Sequence, residues 1–249
     1  MKRLTAVFAH PDDETFATGG TIARYSAEGV RCSLYCATDG DAGRSSGIPV
    51  SSRAELGAMR RNELLAACQV LGIVSVEHGG HPDGGLQTVD PDRIIGEIVA
   101  LLRRERPDVV VTFGPEGAPT QHRDHSAVSR LATAAFFLAG IPTAFPGQLD
   151  GGLTPHRPAR LCYSTWRRPA TGAELVTEGQ PIDIAVPVSE WLGCKIEAFD
   201  AHRTQHQHRA HFESLALTDH EYYFVAAGEP VARRTDDLFG ELTATAARA

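Results

Sequence analysis

The chain is 249 residues long with 42% hydrophobic and 22% charged side chains, a globular rather than disordered composition with enough residues to bury a core. A formal net charge of -7 argues against nucleic-acid binding through a basic face, which needs clustered Lys and Arg. No apolar run reaches the roughly 18–20 residues of a membrane helix, the apolar start of MKRLTAVFAHPDDE is too short for a signal peptide, and five scattered cysteines point to the reducing cytoplasm.

From the N-terminus, an apolar run over 4–9 predicts a strand, and the run over 14–28, followed by Gly29, predicts a helix. The pair then repeats. Strands are expected at 31–37, 74–77 and 108–113, and helices at 53–71, 91–105 and 124–139. Gly72 closes the second helix, and Pro91 opens the third after Asp90 as N-cap. Such alternation is the signature of an α/β fold with three layers, a Rossmann-like, mostly parallel, doubly wound sheet between helices. Cys32 and Cys36 fall inside a strand and read as small buried apolar residues rather than metal ligands. From 140 the Pro- and Gly-rich IPTAFPG and GGLTPHRPA predict loop. Strands at 160–165 and 182–186, a helix from about Ser189 to Arg203 and a last strand in EYYFVAA follow. With no repeat and no linker, residues 1–249 read as a single domain, a core of 1–139 with an elaborated C-terminal part of 140–249.

In open parallel sheets, ligands bind beyond the carboxyl ends of the strands. Those ends carry His10-Pro11-Asp12-Asp13, Thr38-Asp39-Gly40-Asp41, the run HGGHPDGG from His78 to Gly85, and GPEGAPTQHRDH after residue 113. The first of these stands where a nucleotide-binding fold has its glycine-rich loop, yet its acids repel phosphate. Two clusters suit a metal instead: His10 with Asp12 and Asp13, and His122 with Asp124 and His125. A catalytic zinc takes three His or carboxylate ligands and keeps one position open, and residues 122 and 125 at a helix start can face one point. Alone, either cluster is equally well explained by helix capping or by exposed polar residues at a helix start. Their meeting on one sheet edge favours the metal site.

AHPDDE after the first strand, with a His-x-Asp-His element about a hundred residues later, resembles the PIG-L or LmbE-like family of zinc-dependent N-acetylglucosaminyl deacetylases. TDGDAG after the second strand, Arg60 and Glu63 in RRNELLAACQVLG, PDGGL at 82–86 and AHRTQ at 201–205 extend the resemblance over residues 5–205. The first motif is highly specific and the later ones less so. The resemblance implies an LmbE-like fold with one Zn2+ per subunit held by His10, Asp13 and His125. It makes Asp12 the general base that later acts as acid, and has a protonated His122 polarise the substrate carbonyl, with Asp124 beside it in support. Arg123 and Thr204 depart from the family's usual Pro and Ser, and neither is a proposed ligand. It further implies a homo-oligomer acting on a small-molecule N-acetylated amino sugar, with no nucleic-acid or membrane partner.

The chemistry fits these residue types. Bound zinc lowers the pKa of its water from about 15.7 to roughly 7, and a positioned carboxylate typically adds about 10²- to 10⁴-fold. His and carboxylate ligands also suit iron, manganese or cobalt. Arg60, Asp83, His202 and Arg44 are expected to bind substrate, and the Gly- and Ser-rich loop within 40–52 has the composition of a lid. Arg44 or Arg60 suits an acidic aglycone, and the chain's length suits the N-acetylglucosaminyl malate deacetylases of bacillithiol synthesis. The rivals are an amidase of the same family acting on a thiol-sugar conjugate or an acylated natural product, and a non-catalytic sugar- or nucleotide-binding protein. His202 and His206 do not complete a second metal set, and without a Gly-x-Ser-x-Gly elbow a serine hydrolase is unsupported.

Overall fold

The computed structural model describes residues 1–117, 119–166 and 179–242. In chain order these form β1 (Arg3–Phe8), α1 (Asp13–Ala27), β2 (Arg31–Thr38), α2 (Arg53–Leu71), β3 (Ile73–His81), α3 (Pro91–Glu105), β4 (Val109–Phe113) and α4 (Arg123–Leu138). The C-terminal part adds α5 (Gly147–Asp150), β5 (Arg160–Thr165), β6 (Ile184–Pro187), α6 (Leu192–Ala201), α7 (Arg209–Leu215) and β7 (His220–Gly228). All strands join one sheet in the order β3-β2-β1-β4-β5-β7-β6. The first five in that order run parallel, and β7 is antiparallel to both β5 and β6. The chain moves outward from β1 to β3 and then returns to place β4 on the other side of β1, so the order reverses between β1 and β4. A crevice opens at such a reversal. No helix among the described residues is long and apolar enough to cross a membrane.

The alternating pattern of the sequence follows from burial on both faces. Ala6, Val7, Phe8, Val109, Val110 and Val111 are buried, as central parallel strands covered by helices require. Ser52 caps α2 by accepting the Glu55 amide at 3.1 Å, Asp90 caps α3 through the Asp92 amide, and Gly72 ends α2 with φ 76. Cys32 and Cys36 lie buried in β2.

β6 starts at Ile184 rather than 182, and two other expected boundaries move for reasons the structure shows. β3 continues past residue 77 to His81 because it is bulged: Cys36 pairs with His78 and Thr38 with His81, leaving Gly79 and Gly80 opposite Ala37. A Cβ on Gly79 would stand 2.5 Å from the Tyr35 hydroxyl, and Gly80 has φ 62, so the bulge requires both glycines. The single helix expected over 189–203 is a 3-10 turn at Ser189–Trp191 followed by α6. It stops at His202, whose ψ of 61 is not helical, and a 3-10 segment and α7 continue the His-rich stretch.

The glycine pair of α1 gives close packing. A Cβ on Gly19 would lie 3.0 Å from Lys195 Cγ, and one on Gly20 would lie 2.6 Å from Val188 Cβ. Through this gap a buried ion pair reaches the backbone of α1. Lys195 Nζ, 2.6 Å from Glu221 Oε1, also donates to the Phe16 carbonyl, while Glu221 accepts the amides of Gly20 and Thr21. Removing one partner of such a pair strands the other charge in the interior. Lys195→Met is therefore expected to cost about 3–5 kcal/mol of stability in urea denaturation, and adding Glu221→Gln to recover part of it. A double variant no more stable than the single would refute this role for the pair.

Candidate active site

The turn after β1 and the start of α4 build the site from opposite sides of the sheet reversal. Asp13, the first residue of α1, folds back on its own turn, where its Oδ2 accepts the amides of His10 at 2.8 Å and Ala9 at 3.2 Å. That anchors the carboxylate between two imidazoles. Its Oδ1 lies 3.2 Å from His125 Nε2, and its Oδ2 lies 3.5 Å from His10 Nδ1. His125 is itself fixed by stacking on Phe113, with centroids 4.1 Å apart. Its Nδ1 lies 3.4 Å from the Thr120 hydroxyl.

His10 turns its other nitrogen, Nε2, to Asp83 at 3.1 Å and to Asp124 at 3.3 Å. Asp124 is fully buried and accepts the amides of Gly84 at 2.7 Å and Leu86 at 3.1 Å. One side chain thus joins the PDGGL loop to α4 and orients the His10 ring. A carboxylate on the far nitrogen of a ligand histidine is the usual means of fixing its tautomer.

His122 is the N-cap of α4, and its Nδ1 accepts the Asp124 amide at 3.2 Å. A ring that accepts at Nδ1 carries its proton on Nε2. Burial, with His10 and His125 nearby, holds its pKa below the usual histidine value. Both features favour the neutral ring in this structure, and either form of His122 can donate through Nε2.

Two sets of potential ligand atoms lie within 4.8 Å of one another among the described residues: His10 with His122 and His125, and His10 with Asp83 and Asp124. The donor types fit a divalent cation. Burial opposes charge on His10, but Asp124, Asp13 and Asp83 around it raise its pKa well above the ordinary value. Burial likewise opposes charge on Asp13, and His125 and His10 overcome it and lower its pKa. The carboxylates thus favour positive charge at His10, the place a cation entering such a site would take.

Asp12 follows a different logic. Its φ of 113 and ψ of -24 put a non-glycine residue in a left-handed conformation, a strain of about 1–3 kcal/mol that persists only where the surroundings enforce it. Burial raises its pKa to about 6, with Asp13 and Glu14 adding to the shift and Arg60 and His202 opposing it. Arg60 is buried; it donates to the carbonyls of Gly40 and Pro11 and lies 3.5 Å from Asp12 Oδ2. It braces the turn as well as lining the cavity.

The cavity in front of these residues has a volume of about 250 Å³, slightly below the roughly 300–1,000 Å³ usual for drug-sized ligands. Asp12, Asp13, Asp83, His10, His122 and His125 reach its wall. The structure brings together all the expected metal and acid-base residues, along with Asp83 and Arg60. Two expected substrate contacts are not among the residues that line the cavity. His202 is fully buried against Glu14, 2.8 Å away, and Arg44 is not among the lining residues but offers its carbonyl to Gln205. The 40–52 loop is tied down by Ser46, which donates to the Thr204 carbonyl and accepts the Gln207 amide. The lining also includes Phe16, Trp166, His208 and His211. They converge from three distant segments, and only the density of histidines in 202–211 hinted at any of them.

Known proteins resemble the chain in sequence and in fold. The chain is 31% identical to the 1D-myo-inositol 2-acetamido-2-deoxy-alpha-D-glucopyranoside deacetylase of Rhodococcus erythropolis, over 97% of this chain and 98% of that one. It is 31% identical to the probable N-acetyl-alpha-D-glucosaminyl L-malate deacetylase 2 of Bacillus cereus, over 82% and 84%. In fold it matches N,N'-diacetylchitobiose deacetylase from Pyrococcus horikoshii with a TM-score of 0.75, 22% identity, and 90% and 83% coverage. The model of the PIG-L family, described as GlcNAc-PI de-N-acetylase, matches residues 5–136, which span both halves of the site, and the chain belongs to that family.

Proposed function

We propose that this chain is a metal-dependent N-deacetylase, with one zinc per subunit, that removes the acetyl group from an N-acetylglucosamine-containing small molecule. The observation that carries this reading is the contact of one buried carboxylate, Asp13, with both His10 and His125, beside an acid, Asp12, that opens on the cavity. His10 Nδ1, Asp13 and His125 Nε2 would hold the cation, since His10 Nε2 is engaged by Asp83 and Asp124. A cation there supplies the Lewis acidity that lets water ionise near neutral pH. Asp12 takes the proton of the attacking water and returns it to the departing amine nitrogen. His122 donates from Nε2 to the substrate carbonyl oxygen as negative charge develops there. Asp124 keeps the His10 ring in place throughout.

The relatives named for an inositol and for a malate aglycone share the N-acetylglucosaminyl group and match at equal identity. The Rhodococcus match takes 291 aligned positions to cover 97% of this chain, whereas the Bacillus cereus match takes 206 to cover 82%. The Rhodococcus enzyme therefore carries insertions that this chain lacks, and the length supports the expected malate class, while equal identity does not separate the two. The sugar end is accordingly the part of the substrate assigned here. Residues 1–249 act as one catalytic unit in this proposal, supported by the direct pairing of β5 with β4. A cytoplasmic homo-oligomer belongs to the same proposal, and five unpaired cysteines support the reducing compartment.

Acetate release from N-acetylglucosaminyl malate, N-acetylglucosaminyl inositol and free N-acetylglucosamine, with metal chelated and then restored, tests the reading. Release from at least one, abolished by chelation and recovered with zinc, is expected. No release from any of the three by the zinc-loaded protein would overturn the N-acetylglucosaminyl assignment and leave an amidase of the same family on another acylated substrate as the better account.

A further inference from the structure

The strained backbone of Asp12 has an identifiable support. Its amide donates to Glu14 Oε2 at 3.0 Å, and its carbonyl accepts the amides of Thr15 and Phe16. Glu14 is fully buried, accepts the Thr15 hydroxyl on Oε1, and on that same oxygen meets His202 Nε2 at 2.8 Å. His202 is also fully buried, at the end of α6, and its Nδ1 has no hydrogen-bond partner among the described residues. Neither side chain lines the cavity. A carboxylate held away from water close to Asp12 and Asp13 needs a compensating donor, and His202 supplies it from 188 residues along the chain.

We infer that Glu14 and His202 are a positioning pair for Asp12: His202 holds Glu14, and Glu14 holds the Asp12 amide so that its carboxylate faces the cavity. This rests on the proposed role of Asp12 as the base. The pair touches neither substrate nor cation, so it acts on the orientation of the base alone. Relaxation of Asp12 to an ordinary φ would swing its carboxylate off the line to the attacking water. Misplacement of a reacting group by about 1 Å can cost about 10²-fold in rate.

The test compares Glu14→Ala, Glu14→Gln and His202→Phe with the zinc-loaded wild type, using acetate release from N-acetylglucosaminyl substrates, bound zinc and the Asp12 φ in crystals. Glu14→Ala is expected to lower kcat by about 10²-fold with KM and zinc content little changed, and to move Asp12 out of the left-handed region. Glu14→Gln should regain most of that loss, because its amide oxygen still accepts the Asp12 amide. His202→Phe keeps the ring and removes the donor, and should lower kcat in the same way; it carries the test if the alanine variant does not fold. Unchanged kcat and unchanged Asp12 φ in the folded variants would overturn the pairing. A wild type inactive on every N-acetylated sugar would instead sink the proposed reaction, and the crystallographic φ would still decide whether the pair positions Asp12.

Discussion

Asp12→Asn is expected to keep its zinc and its fold while losing about 10²- to 10⁴-fold in turnover, the usual worth of a positioned acid-base group. The substitution isolates the chemistry for two reasons. Asparagine tolerates the left-handed backbone better than most residues, so the φ of 113 at this position is no obstacle. It also removes a carboxylate whose pKa burial raises, with Asp13 and Glu14 adding to the shift, so stability should be unchanged or improved. Zinc content by atomic absorption, thermal denaturation and acetate release on the same preparation check the three parts. A variant with full zinc and full turnover would remove Asp12 from the mechanism.

The second large effect is expected at His125. Its ring stacks on Phe113, and its Nε2 meets Asp13 at 3.2 Å, so His125→Ala removes a proposed ligand and strands a buried carboxylate. The affinity loss should exceed the roughly 10- to 100-fold that an outer partner is worth, leaving dialysed protein without zinc and without activity. His122→Ala provides the contrast. Its Nδ1 is occupied by the Asp124 amide, and its assigned work is the donor from Nε2, so that variant should keep zinc and lose about 10²- to 10³-fold in kcat. If His122→Ala loses zinc as completely as His125→Ala, the ligand set is His10, His122 and His125, which the distances also allow.

The parts of the site legible in sequence are those with local cause. β1 stops at Phe8 and the turn through Pro11 lets His10 and Asp13 stand on either side of it, and a spacing of three at the start of α4 puts His122 and His125 on one side. Helix and strand periods placed both turns at strand ends, and the parallel topology then placed both at one edge. The doubly wound order of the first four strands followed from alternation, because two-sided burial makes each strand a short apolar run.

What only the tertiary structure decided is which side chains meet across long separations. Glu14 had no role until His202 arrived beside it, and His202 left the substrate wall for the interior by the same contact. Arg60 was expected at the sugar, and the fold also directs its guanidinium to the carbonyls of Pro11 and Gly40. Asp124 became the link between α4 and the loop at 84–86, and Gly19 and Gly20 became the opening through which Lys195 and Glu221 reach α1. The sequence by itself determined the fold class, the family and the two turns of the candidate site, since these depend on periodicity and on short motifs. The tertiary structure decided which groups hold the Asp12 backbone and what lines the cavity. Those depend on side-chain directions and on packing between residues up to about two hundred positions apart, for which a linear pattern carries no physical constraint.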